Sequence, residues 1–180
     1  MKPAVFVMTD VVGSTALWET YGDSMREALE VHDKLVHGAV ESAGGRVFKH
    51  TGDGMIAAFD EADGAVVGAL AAVNALFGAA WGATGPLGVR VSVHAGAAAE
   101  RDGDFFGPPV NKVARINGVG HPSQVLVSDT ARQLMSEPPG VDLGVHQLRD
   151  LSEPVRLWQF DDGTHPPLRT LEKARHNLPV

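Results

Sequence analysis

Apolar residues run along this chain in short blocks of two kinds. "AVFVMTD" (4–10) is nearly unbroken and stops at an acid, as a buried strand does. "VVGSTALWE" follows and opens a helix through Gly13, Ser14 and Thr15. Ser24 followed by Glu27 has capping-box spacing. Leu29, Val36 and Val40 then recur at helical intervals until Gly44-Gly45 ends the helix. "RVFKH" (46–50) and "MIAAF" (55–59) predict two strands, joined by a turn that holds Asp53 between two glycines. Asp60 and Asp63 begin a third helix with Val66, Leu70 and Val73 on its inner face, and the Ala- and Gly-rich stretch 78–88 reads as a loop. "VRVSVHAG" (89–96) alternates as a strand, and 97–106 reads as a charged turn. "GPPVNKVARINGVG" (107–120) is a helix with prolines in its first turn, where a missing N–H costs little. "QVLVS" (124–128) is a strand, 129–135 a short helix, and "VHQLRD" and "PVRLWQF" a last pair of strands. This order predicts an α+β fold close to the ferredoxin-like βαββαβ plan, with additional C-terminal α/β elements. The sheet is antiparallel-rich, with helices on one face.

Composition narrows the setting. The 180 residues, 44% hydrophobic, suit one globular domain, read as residues 1–160. Residues 161–180 are Pro-rich without a core pattern, which predicts a linker or tail. Cysteine is absent, which excludes disulfides and Cys-based zinc sites. A formal charge of −7 argues against a nucleic-acid-binding face, although a local basic cluster can still hold a small phosphate ligand. No apolar run is long enough to span a membrane, and "MKPAVFVMTD" meets an acid too early for a signal peptide. The expectation is a soluble cytoplasmic chain with no membrane contact.

Two acids stand out. In such a sheet Asp10, ending a strand, and Asp53, in its turn, can face one another at the sheet edge. Two close carboxylates repel unless a cation lies between them. Two Asp residues bridging hard divalent ions can activate an oxygen nucleophile and neutralise a phosphate leaving group. The Val11–Ser14 backbone N–H groups, at a helix start, could cradle phosphate oxygens. Asp53 also fits an ordinary Asp-Gly turn, and Asp10 a helix cap. What favours chemistry is the end of a buried strand, a costly place for an idle charge.

"FVMTDVVGSTALWE" and "FKHTGDGMIAAF" closely resemble the two metal motifs of class III nucleotidyl cyclases, the adenylyl and guanylyl cyclase catalytic domain. The resemblance continues in "GDFFGPPVNKVARI" and "LRDLSEPVRLWQF", so four motifs agree over roughly residues 4–160. It implies conversion of ATP to 3′,5′-cyclic AMP and pyrophosphate, with two Mg²⁺ or Mn²⁺ ions held by Asp10, Asp53 and the Val11 carbonyl. Asn111 would orient the ribose and Arg115 would stabilise charge on the phosphoryl oxygens. Lys49 and Asp104 match the pair that reads adenine: a donor for the ring nitrogen and an acceptor for the exocyclic amine. Guanine presents the opposite pattern. Gly13, Ser14 and Thr15 match the phosphate-contacting turn, though for Ser14 and Thr15 helix capping is the commoner role.

There are departures from the family pattern. Arg149 stands where many relatives have a triphosphate-binding lysine, and Phe106 where tryptophan is common. The resemblance further implies a homodimer with shared sites, one chain giving Asp10 and Asp53 and the other the base-reading and transition-state residues. "PPLRTLEKARHNLP" resembles a junction to an ATPase and helix-turn-helix regulator, and fits an ordinary surface tail equally well. Two alternatives remain at this stage: a catalytically weak nucleotide-binding and dimerisation module, and a guanylyl cyclase, which Lys49 and Asp104 disfavour. A polymerase-like transferase would need a template face that this acidic chain lacks.

Overall fold

The computed structural model of the chain describes residues 3–136 and 140–170. β1 (Ala4–Val11) lies between β3 (Gly54–Phe59) and β4 (Val89–Gly96), antiparallel to both. β2 (Arg46–His50) is the edge strand beside β3. On the other side β4 pairs in parallel with β7 (Val125–Ser128), followed by β9 (Val155–Gln159) and β8 (Val141–His146). The result is a seven-stranded mixed sheet of order β2-β3-β1-β4-β7-β9-β8. The α+β expectation holds.

Alternation along β1 feeds two cores. Val5, Val7 and Val11 face α2 (Asp23–Ser42) and α3 (Ala62–Phe77), meeting Met25, Val36, Val40, Ala65 and Ala69. Phe6 points the opposite way, onto Val113 of α4 (Pro108–Val119) and Phe105 of β6 (Asp104–Phe106). Helices therefore cover both faces, not one. The unbroken apolar run of β1 reflects burial from two sides.

Five local expectations change. α1 (Ser14–Tyr21) starts after Gly13 at φ 70, left-handed backbone that suits glycine, and neither Ser14 nor Thr15 caps it. α2 likewise starts after Gly22 with no side-chain cap, so Ser24 and Glu27 form no capping box. The charged stretch 97–106 is a small hairpin of β5 (Ala99–Arg101) and β6. α5 (Asp129–Arg132) is a single turn, and the strand expected at "VHQLRD" is β8 at 141–146, so Arg149–Asp150 is a turn.

Residues 161–170, read from composition as linker or tail, lie on the domain. Leu168 is buried among Ile116, Leu126, Leu148 and Leu157, and His121 Nε2 sits 3.0 Å from the Pro167 carbonyl. Most of the junction-like segment 166–179 falls outside the described residues. No helix among the described residues is long and apolar enough to cross a membrane.

His94 on β4 is buried, its Nδ1 2.8 Å from Ser128 Oγ and 3.1 Å from Thr130 Oγ1. Burial, and secondarily the charge of Lys112, pushes its pKa from 6.5 down to about 4. The unfolded chain takes up this proton near 6.5 and the folded chain resists it, so stability is lost as pH falls through that window. The loss is expected to reach roughly 3 kcal/mol by pH 4. Urea midpoints of the parent and His94→Gln at pH 7 and pH 4.5 check this; equal pH slopes in the two proteins would refute it.

Candidate active site

Asp10 is the last polar position of β1 before the turn into α1. Its register partners are Gly54 on one side and Arg90 on the other. Directly opposed residues in a ladder share a face, so Arg90 meets Asp10. Its Nε donates to Asp10 Oδ1 at 2.8 Å, its Nη2 donates to Oδ2, and its Nη1 reaches the Gly118 carbonyl at 3.2 Å. Asn117 Nδ2 also donates to Asp10 Oδ1, at 2.7 Å.

Asp53 is brought alongside by close backbone approach. A Cβ on Gly54 would sit 1.9 Å from the Thr9 carbonyl oxygen, so only glycine lets β3 lie against β1 here. One residue earlier, the Asp53 carbonyl accepts the Val11 N–H at 3.1 Å. The Arg90 pKa is raised by its hydrogen bond to Asp10 against burial, with smaller contributions from the charges of Asp10 and Asp53.

The donor set fits divalent ions of the Mg²⁺ type. Such ions take one or two carboxylates and complete their shells with phosphate and water, without a dedicated protein cage. No cluster of three or more His, Cys, Asp or Glu side chains exists among the described residues. The Asn117 Oδ1 beside Asp10 is buried and has no partner, a further oxygen in the same place.

The expected phosphate cradle shifts by two residues. The Val11 N–H is used by Asp53, and the Val12 N–H donates to the Gly88 carbonyl at 2.7 Å. The N–H groups of Gly13, Ser14, Thr15 and Ala16 precede the first helical bond, from Leu17 to Gly13.

α4 separates the remaining residues. Positions two apart on a helix do not share a face. Asn117 is buried against Asp10, whereas Arg115 points away and pairs with Asp150 Oδ2 at 2.9 Å. Arg149 lies 3.7 Å from the same carboxylate, so Arg115 and Arg149 share a cleft. Asn111 is exposed near the start of α4. Lys49 Nζ donates to Asp104 Oδ2 at 3.0 Å, linking β2 to β6, and Lys49 also lies over the exposed Phe106 ring at 5.4 Å.

No protein-family model matches the chain. An uncharacterised protein of Mycobacterium tuberculosis is 31% identical over 93% of the chain, which spans 60% of that protein's length. A protein of Rhizobium meliloti provisionally named adenylate cyclase 3 is 31% identical over 91% of the chain, which spans 30% of its length. Among solved structures, an adenylate/guanylate cyclase/hydrolase from Silicibacter pomeroyi is 29% identical, with a TM-score of 0.77 over 89% of this chain and 97% of that one. By sequence and fold, this chain is similar to the catalytic domains of adenylate and guanylate cyclases. A Trypanosoma brucei adenylate cyclase shares the fold at a TM-score of 0.86, with 23% identity, over 94% of this chain and 95% of that one.

Arg90 and Asn117 were not singled out from sequence. Arg90 is the one charge in the alternation of "VRVSVHAG", a signal legible only once β4 is known to pair with β1 at Asp10. Asn117 gave no signal beyond a polar residue between Ile116 and Val119 on the helix.

Proposed function

We propose that this domain is an adenylyl cyclase. It cyclises ATP at sites shared between two copies of the chain, using two Mg²⁺ or Mn²⁺ ions per site. The observation that supports the reading is that the Val11–Asp53 backbone bond brings Asp53 beside the Asp10 end of β1, while the same chain's Arg115 pairs with Asp150 on another face of α4. Each half-site is then completed by the other copy, Asp10 and Asp53 from one and Lys49, Asp104, Asn111, Arg115 and Arg149 from its partner.

Asp10, Asp53 and the Val11 carbonyl would hold the ions, which supply charge neutralisation at the 3′-oxygen and at the phosphates. Lys49 and Asp104 separate from one another to take the adenine edge, one donating and the other accepting. Asn111 orients the ribose. The 3′-oxygen bonds to the α-phosphorus as the bond to the β-phosphate oxygen breaks. The Arg115 fork stabilises the charge that builds on the phosphoryl oxygens, and pyrophosphate leaves. Arg149 keeps the positive charge found as lysine in relatives, in a planar form that can bind phosphate through two donors.

Incubation with Mn-ATP or Mn-GTP, followed by identification of the cyclic product, tests this. Cyclic AMP is expected, with ATP preferred by about 10²-fold or more in kcat/KM because guanine leaves Lys49 and Asp104 wrongly paired. Lys49→Ala should shrink that preference. Cyclic GMP as the main product would overturn the adenine assignment. Binding without turnover in a confirmed dimer would favour a regulatory module.

A further inference from the structure

We infer that Arg169, on the segment after the last strand, is a third polyphosphate-binding arginine of the cyclase site. This rests on the reading of Arg115 and Arg149 as phosphate-facing residues. A cleft of about 230 Å³ lies between α4 and the β8–β9 connection, lined by Arg115, Gln147, Arg149, Arg169 and Thr170 among others. It is below the ~300–1,000 Å³ typical of pockets for drug-sized ligands. That suits the phosphate end of a nucleotide, with base and ribose held elsewhere. Three guanidinium groups oppose one carboxylate, Asp150, on a chain whose formal charge is −7. Such a local excess of positive charge fits a polyanion.

The placement of Arg169 is built into the fold. Leu168 is buried in the core beneath, among Ile116, Val119, Leu148 and Leu157. The Arg169 N–H donates to the Val119 carbonyl at 3.1 Å, tying the segment to the last turn of the helix that carries Arg115. Thr170 Oγ1 lies 3.5 Å from His146 Nδ1 at the end of β8. Arg115 and Arg149 both lean on Asp150, whereas the exposed Arg169 side chain has no partner among the described residues. It is the guanidinium at this cleft already available to an incoming anion. Asp150 adopts φ 61, uncommon for a residue with a side chain, and its carboxylate occupies Arg115 and Arg149 until phosphate displaces it.

The probe is inorganic tripolyphosphate, titrated by calorimetry into the full chain without metal, beside steady-state kinetics with Mn-ATP. Arg169→Gln is expected to weaken tripolyphosphate binding about 5- to 10-fold. It should raise KM for ATP by a similar factor while leaving kcat within about twofold. Arg169→Lys should recover part of the loss, because charge returns without the fork. Arg26→Gln, which removes an exposed arginine paired with Asp23 elsewhere, should change nothing. Normal binding and KM in Arg169→Gln, with Arg149→Gln impaired, would overturn the assignment and leave the cyclase reading intact. Absence of tripolyphosphate binding to the parent would overturn it as well. Weakened binding in Arg169→Gln, with no cyclic product from the parent, would uphold the phosphate site and sink the cyclase reading.

Discussion

Asp53→Ala and Arg115→Ala proteins, each nearly inactive alone, are expected to regain cyclase activity when mixed. Removing Arg115 takes away a donor aimed at transition-state charge, a loss of about 10²–10³-fold in rate. Removing Asp53 takes one of two carboxylates from the ion site and should cost at least as much. If a site draws Asp53 from one chain and Arg115 from the other, a mixed dimer carries one intact site and one doubly damaged site. Random exchange makes half the dimers mixed, so an equimolar mixture should reach about a quarter of parental activity. The structural reason is the helix itself. Asn117 holds Asp10 on one side of α4 while Arg115 pairs with Asp150 on another. Activity of differently tagged mixtures, with mixed dimers confirmed by pull-down, is the measurement. Confirmed mixed dimers without recovered activity would mean that each chain builds its own site.

Gly54→Ala is expected to damage both folding and catalysis, although it adds one methyl group at a position with ordinary backbone angles. The new Cβ would lie 1.9 Å from the Thr9 carbonyl oxygen and 2.8 Å from its carbon. Neither is the loose end of a side chain; both belong to the central strand. The β1–β3 ladder must open locally, at a cost of about 3 kcal/mol, the upper end of the usual range for overpacking. The same opening pulls Asp53 from Val11, and displacements near 1 Å at a catalytic group can cost about 10²-fold. Urea unfolding and Mn-ATP turnover of the folded fraction read the two effects separately. A variant with parental stability and rate would show that the close approach at Thr9 is not needed.

Much of this was legible in the sequence because the signals were local. The run ending at Asp10, the glycine-flanked turn at Asp53 and the prolines opening α4 each point to a short-range cause. Lys49 and Asp104, 55 residues apart, meet because β2 and β6 carry them to one place. The remainder depended on long-range pairing. Arg90 acquires meaning only through its register with Asp10. That helices cover both faces was written in the unbroken apolar run of β1, since one-sided burial would leave an alternating string, but the one-face expectation did not use it. The Ser24 and Glu27 spacing suggested a cap that the chain does not make, since Gly22 turns into α2 without one. The segment 161–170 lacks periodicity, yet one leucine suffices to dock it.

That leucine bears on how the domain can be handled. Leu168 closes a hollow floored by Ile116, Leu148 and Leu157. A version trimmed at the end of the last strand would leave this greasy hollow open to water, beside β8, whose Val141 and Val145 already face solvent. Self-association would follow from the missing plug, and poor solubility of such a fragment would say nothing about whether the cyclase fold itself is sound.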